Sequence, residues 1–196
     1  MTDAYVFLLG MALGFTLVIP PGPMNALIAV RSVRSFRAGV ATGFGAMIAD
    51  VILGTLIYVL HTVVDLTSVV RWVELGGAVI MAFFAYRVLA QEGRAVPPPL
   101  TADVRVFSEA LTVGVTNPFQ VIWWLTVGLA FAYLGGALLL LGLFLAIAVW
   151  IVAFPLALHE SARRFERVPR GVTIGSGVLL AGFAVYVALL AAGFAF

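Results

Sequence analysis

The sequence predicts an all-α, polytopic membrane protein with six transmembrane helices, and three observations carry that prediction. Of its 196 residues, 63% are hydrophobic and only 10% charged, where a soluble domain holds roughly half and about a quarter. The apolar residues gather in six segments, about 4–30, 38–61, 70–90, 106–133, 137–158 and 171–195, each long enough for a bilayer core that needs roughly 20 residues per helix. The basic residues alternate from one side of these segments to the other. Such a composition excludes a soluble enzyme, a nucleic-acid binder and a disordered chain. The formal charge is only +2, and a small basic excess on so apolar a chain is a topology signal. With no cysteine, disulfides, thiolate metal sites, iron–sulfur clusters and thiol redox chemistry are ruled out. No cofactor is expected.

The first segment is apolar from residue 4, but Asp3 stands where a signal peptide would be positive, and no small-residue cleavage pattern follows. It reads as a mature first helix. As one helix, 4–30 would run about 40 Å at 1.5 Å per residue, and Pro20, Pro21 and Pro23 interrupt it. A turn from Arg31 to Arg37 with three arginines closes it. The second segment carries a small-residue face, Gly39, Gly43, Gly45 and Ala49, that lets another backbone approach closely. Asp65, Arg71 and Glu74 bracket the turn into the third, and Gln91 to Arg105, with Pro97-Pro98-Pro99, forms a linker halfway along the chain. The fourth, 106–133, would be about 42 Å long and contains Pro118. Gly135-Gly136 makes a minimal turn into the fifth, and the charged stretch His159 to Arg170, ending near Pro169, leads to the sixth. Gly171 and Gly175, with Ser176 and Gly177, read as a close-packing surface. A serine protease would need a histidine at that depth, and His61 and His159 both lie near span ends. Tyr58, Tyr86 and Tyr133 suit the membrane interfaces.

Arginine placement sets the orientation. There is no lysine, and one side holds Arg31, Arg34, Arg37, Arg87, Arg94, Arg105, Arg163, Arg164, Arg167 and Arg170, while the other has Arg71 alone. The positive-inside rule puts the ten in the cytoplasm and both termini outside. Five loops alternate without a break, as six spans require.

The two overlong, proline-bearing segments open the first and second halves of the chain. With three spans per half, the halves enter the membrane from opposite faces. The expectation is one transmembrane domain, 1–196, built as a 3+3 inverted repeat of about 1–95 and about 100–196. In that pattern broken helices at matching positions build a substrate site near the midplane. The plainer alternative is a pair of tilted helices that the prolines merely kink.

The first break reads Pro20-Pro21-Gly22-Pro23-Met24-Asn25. Its prolines remove backbone donors, and a half-helix starting near Pro23 would present free N–H groups and a positive dipole end, suited to a carboxylate. Asn25 either caps that terminus or bonds a ligand. At the second break Asn117-Pro118 is a helix-start signature, asparagine at N-cap and proline at N1. For Gln120 a bond to another helix and a ligand contact are both open, while Trp123 and Trp124 read as packing residues. Asp50 is the most informative residue. It lies 12 residues into the second segment, about 18 Å deep, where a carboxylate costs roughly 2.5–3.5 kcal/mol to insert. Such an acid either serves a function or, protonated, bonds a neighbouring helix. Glu109, four residues after Arg105, reads as an interfacial i,i+4 pair, with a gating role as the alternative. One central carboxylate without a deep histidine is thin for a divalent metal.

Pro21-Gly22-Pro23 with Asn25, the glycine-rich second helix ending in Asp50, and Asn117-Pro118 opening the second half resemble the lysine exporter (LysE/RhtB-type) family of amino-acid exporters. The resemblance covers essentially the whole chain in length, layout and motif order. It implies a non-enzymatic secondary transporter in the cytoplasmic membrane of a prokaryote. Its substrate would be amino acids or close derivatives, exported by antiport with a proton or sodium ion, and a homodimer is allowed. Carried over by position, Pro21, Gly22, Pro23, Asn25, Asp50, Asn117 and Pro118 would line or shape the central site. One departure is the crowded Pro20-Pro21, where a small polar residue would be expected. The competing reading is a cation transporter or channel with Asp50 as the ion site.

Overall fold

A computed structural model describes residues 3–60, 66–90 and 104–192. The triple-proline linker, Arg94, His61 and Asp65 lie outside these residues, as do the side chains of Arg71, Glu74 and Tyr133. The described chain is all-helical: α1 (Asp3–Val18), α2 (Pro23–Ser32), α3 (Phe36–Leu60), α4 (Leu66–Leu89), α5 (Val104–Val115), α6 (Pro118–Trp123), α7 (Leu129–Arg164) and α8 (Arg167–Ala191). A five-residue π-helical turn, Trp124–Gly128, joins α6 to α7.

Among the described residues, three helices are long and apolar enough to cross a bilayer, namely α3, the Gly136–Arg164 part of α7, and α8. They occupy the expected second, fifth and sixth segments. The expected first segment is α1 plus α2, bent by 79° at a short break. The expected third lies on α4, and the expected fourth is divided among α5, α6, the π-turn and the start of α7. Gly136, at φ 55° and ψ −149°, marks the expected turn before the fifth segment; this backbone conformation suits glycine, which lacks a Cβ. Two expected turns are shorter than the charge pattern suggests. Helix α7 continues through His159 to Arg164, and α2 continues through Arg31 to Ser32. Hydropathy marks where a helix leaves the apolar layer, whereas arginine and glutamate favour continuing the helix itself. Pro169 falls in the first turn of α8, where a missing N–H costs nothing.

Helix α1 packs along α7, α4 along α8, and α3 along α5. The small-residue face of α3 makes the last contact possible. A Cβ on Gly45 would stand 2.6 Å from the Phe107 carbonyl oxygen and 2.8 Å from the Ala110 Cβ. Backbone cannot yield as a side chain does. Gly45→Val is therefore expected to cost about 1–3 kcal/mol, read as a lower melting temperature of the purified protein in detergent. An unchanged melting temperature would mean that α3 and α5 do not approach this closely.

Among the described residues the buried apolar side chains form two clusters. One gathers Met24, Leu27, Phe84, Val88, Val113 and Leu180 from α2, α4, α5 and α8. The other gathers Leu17, Leu53, Trp123, Trp124, Leu143 and Ile147 from α1, α3, α6, the π-turn and α7. Short helix α2 is buried at nine of its ten positions, Arg31 and Ser32 among them. Its N-terminal end comes out between the two clusters, and there the candidate site lies.

Candidate functional site

Proline chemistry makes the first break. Pro20, Pro21 and Pro23 have no N–H to give to the carbonyls four residues back, so the ladder of α1 cannot continue. Gly22 is extended at φ −155° and ψ 178° and is the N-cap of α2, with Pro23 in the first helical turn and no side-chain cap. Asn25 closes the break. Its Nδ2 donates to the carbonyls of Val18 and Pro20, at 2.5 and 2.9 Å, acceptors left over at the end of α1. Its Oδ1 accepts from the Trp150 indole at 3.1 Å. Asn25 thus caps the end of α1 rather than the start of α2.

The second break follows the expected chemistry. Asn117 is the N-cap of α6, extended at φ −76° and ψ 110°, and Pro118 begins the helix. Asn117 Oδ1 accepts from the Phe119 N–H at 3.1 Å, and Asn117 Nδ2 donates to Gln120 Oε1 at 3.1 Å. Gln120 Nε2 in turn donates to Asp50 Oδ1 at 2.9 Å. So the cap of the second break is hydrogen-bonded, through one amide, to the acid of α3. Trp124 Nε1 donates to the same Oδ1 at 3.0 Å. Gly54, one turn beyond Asp50, makes room for this indole, since a Cβ there would lie 2.7 Å from the Trp124 ring. The π-helical turn starts at Trp124; such turns are frequent at functional sites because they re-aim a side chain.

A cavity of about 580 Å³, open space at its mouth included, lies where these parts meet. Pro21, Gly22, Pro23, Asn25, Asp50 and Asn117 all line it. Pro118 does not, but it is buried directly behind Asn117 as the start of α6. Asp50 sits just past the middle of α3 and is only 3% exposed. Both its donors reach Oδ1, and Asp50 lines the cavity.

The residue-type reading missed two contacts. Trp124 and Trp150 hold the site through their indole N–H groups, and the only sequence signal for the first was Gly54 at one turn from Asp50. Glu109 forms the expected i,i+4 pair with Arg105 and two further ion pairs besides. Its expected partner Arg105 is the longest of three contacts, at 3.3 Å with an arginine 75% exposed. Arg87 lies at 3.1 Å, and buried Arg31 at 2.5 Å. Arg31 also donates to Thr42 Oγ1 at 3.1 Å and to the Val106 carbonyl at 2.9 Å. It is an interior residue, not part of a solvated turn. This network ties the far end of α2 to α3, α4 and α5.

An all-helical, multi-pass membrane protein whose central cavity is walled by two helix breaks and one buried acid has the build of a transporter. The family model described as LysE type translocator matches residues 15–191, and the chain belongs to that family. Its members are transporters rather than enzymes. No curated protein matches the chain, and no solved structure does.

Proposed function

We propose that the chain exports amino acids or close derivatives across the cytoplasmic membrane of a prokaryote, by antiport with a proton or sodium ion. The observation that carries this reading is the pairing of opposite charges across one cavity. Asp50 offers its carboxylate to an ammonium, and the uncapped first turn of α2 offers its N–H groups and positive dipole end to a carboxylate. A zwitterion has both groups, and each needs a partner because a lone charge in a dry interior is expensive. Pro21, Gly22 and Pro23 hold the α2 terminus at the cavity, while Asn25, Asn117 and Pro118 fix the two breaks. The competing ion-site reading has less support. The side-chain oxygens of Asn25, Asn117 and Gln120 already accept hydrogen bonds, so a bare cation would find little beyond one carboxylate, where hard cations take about six oxygens or more.

The proposal includes the six-span inverted repeat, with residues of about 1–95 and 100–196 related by an axis in the membrane plane and both termini outside. The meeting of the two breaks at Asp50 supports it. Single cysteines placed in the cysteine-free chain test the orientation: at position 98 we expect labelling from the cytoplasmic side, and labelling from the periplasmic side alone would overturn it. The function is tested by counterflow in proteoliposomes. Labelled amino acid should accumulate in vesicles loaded with the same amino acid unlabelled; accumulation of sodium or rubidium without amino-acid exchange would favour the ion pathway.

A further inference from the structure

We infer that the exported molecule is a neutral amino acid with an apolar side chain, such as that of leucine, methionine or phenylalanine. The inference rests on the export reading above and concerns what the same cavity can accept.

The cavity wall contains one charged side chain among the described residues, Asp50. No arginine or histidine belongs to that wall. Its polar members are few and committed. Asn25 bonds Val18, Pro20 and Trp150, and Asn117 and Gln120 bond each other, the Phe119 N–H and Asp50. The remaining surface is apolar and includes Val18 from α1, Ile28 from α2, Ala46 from α3, Phe119 from α6, Ile147 and Ile151 from α7, and Phe183 from α8.

Charge balance then selects the cargo. The ammonium takes Asp50 and the carboxylate takes the α2 terminus, and nothing in this wall is left for a third charge. A lysine or arginine side chain would bring a second cation to a site with one acid. A glutamate or aspartate side chain would bring a second anion with no basic partner. Hydroxyl side chains fare better but still find amides already satisfied, so burial leaves them short of a hydrogen bond. An aliphatic, thioether or aromatic side chain needs no such partner, and it covers the apolar wall.

The test uses purified full-length chain in proteoliposomes, with counterflow measured for leucine, methionine, phenylalanine, threonine, lysine, arginine and glutamate. The expected result is exchange of leucine, methionine and phenylalanine at rates exceeding lysine, arginine and glutamate by about tenfold or more. Lysine, arginine or glutamate exchanging as fast as leucine would overturn this inference while the export reading stood. Exchange of none of the amino acids would overturn the export reading, and this inference with it. A second arm adds the missing charge. Phe183→Glu, compared with Phe183→Leu as the control for folding, should gain lysine exchange and lose leucine exchange. If Phe183→Glu purifies and melts as Phe183→Leu does but gains no lysine exchange, charge count does not set the selectivity and the inference falls.

Discussion

Asp50→Asn is expected to abolish amino-acid export, by about a hundredfold or more, while the protein inserts, purifies and melts as the wild type does. The structure separates the two consequences. Asn keeps an oxygen at the Oδ1 position, so Gln120 and Trp124 retain their acceptor, and removing an ionisable acid from a buried place takes away a desolvation cost. What disappears is the negative charge that faces the cavity. An ammonium brought there without it loses a charge-assisted partner worth about 3 kcal/mol or more in a buried setting, which is roughly a hundredfold in affinity. Two versions of the role diverge in one measurement. If Asp50 holds the ammonium, the variant loses both counterflow and gradient-driven export. If Asp50 carries only the coupling proton, counterflow survives, because exchange moves no net proton, and only the response to a pH gradient disappears. Export at the wild-type rate under both conditions would make Asp50 a structural hydrogen-bonding residue.

The sequence made the breaks and the acid legible because they rest on local chemistry. Three prolines within four positions cannot continue a helix, whatever surrounds them, and Asn117-Pro118 carries its own start signal in the order of its two residues. Asp50 stood out because an acid deep in an apolar segment needs a reason. The partners of these residues were not legible. Trp124 and Trp150 reach the site from a π-turn and from α7, and no spacing rule links position 50 to 124 or 25 to 150. Asn25 illustrates the same limit. Its neighbourhood suggested a cap or a ligand contact, but the 79° bend swings α2 so that its amide returns to α1. Arg31 was misjudged for a different reason. Counting arginines by loop addresses orientation and says nothing of which of them turns inward.

That inward turn gives the largest stability effect expected away from the cavity. Glu109→Gln should cost about 3 kcal/mol, seen as a fall of the melting temperature of the purified protein. Three arginines share this carboxylate, but they do not share its value equally. The Arg105 side chain is 75% exposed, and an i,i+4 pair in that setting is worth about 0.3–0.5 kcal/mol, weakened further by salt. Arg87 is 34% exposed and lies between the extremes. The Arg31 side chain is 8% exposed, where taking away one partner of a buried pair costs about 3–5 kcal/mol. The lower end applies, because Arg31 keeps its bonds to Thr42 and to the Val106 carbonyl. The expected order of destabilisation is therefore Glu109→Gln well above Arg87→Ala, and Arg105→Ala within about 0.5 kcal/mol of wild type. Because Arg31 ends the helix that follows the first break and Glu109 lies on the helix that precedes the second, this one ion pair holds the two breaks in register. Added salt offers an independent check, since screening weakens exposed pairs far more than buried ones: the deficit of Glu109→Gln should persist at high salt. A deficit that vanished there, or one no larger than that of Arg105→Ala, would show that Glu109 acts at the surface and that the breaks are held together by apolar packing alone.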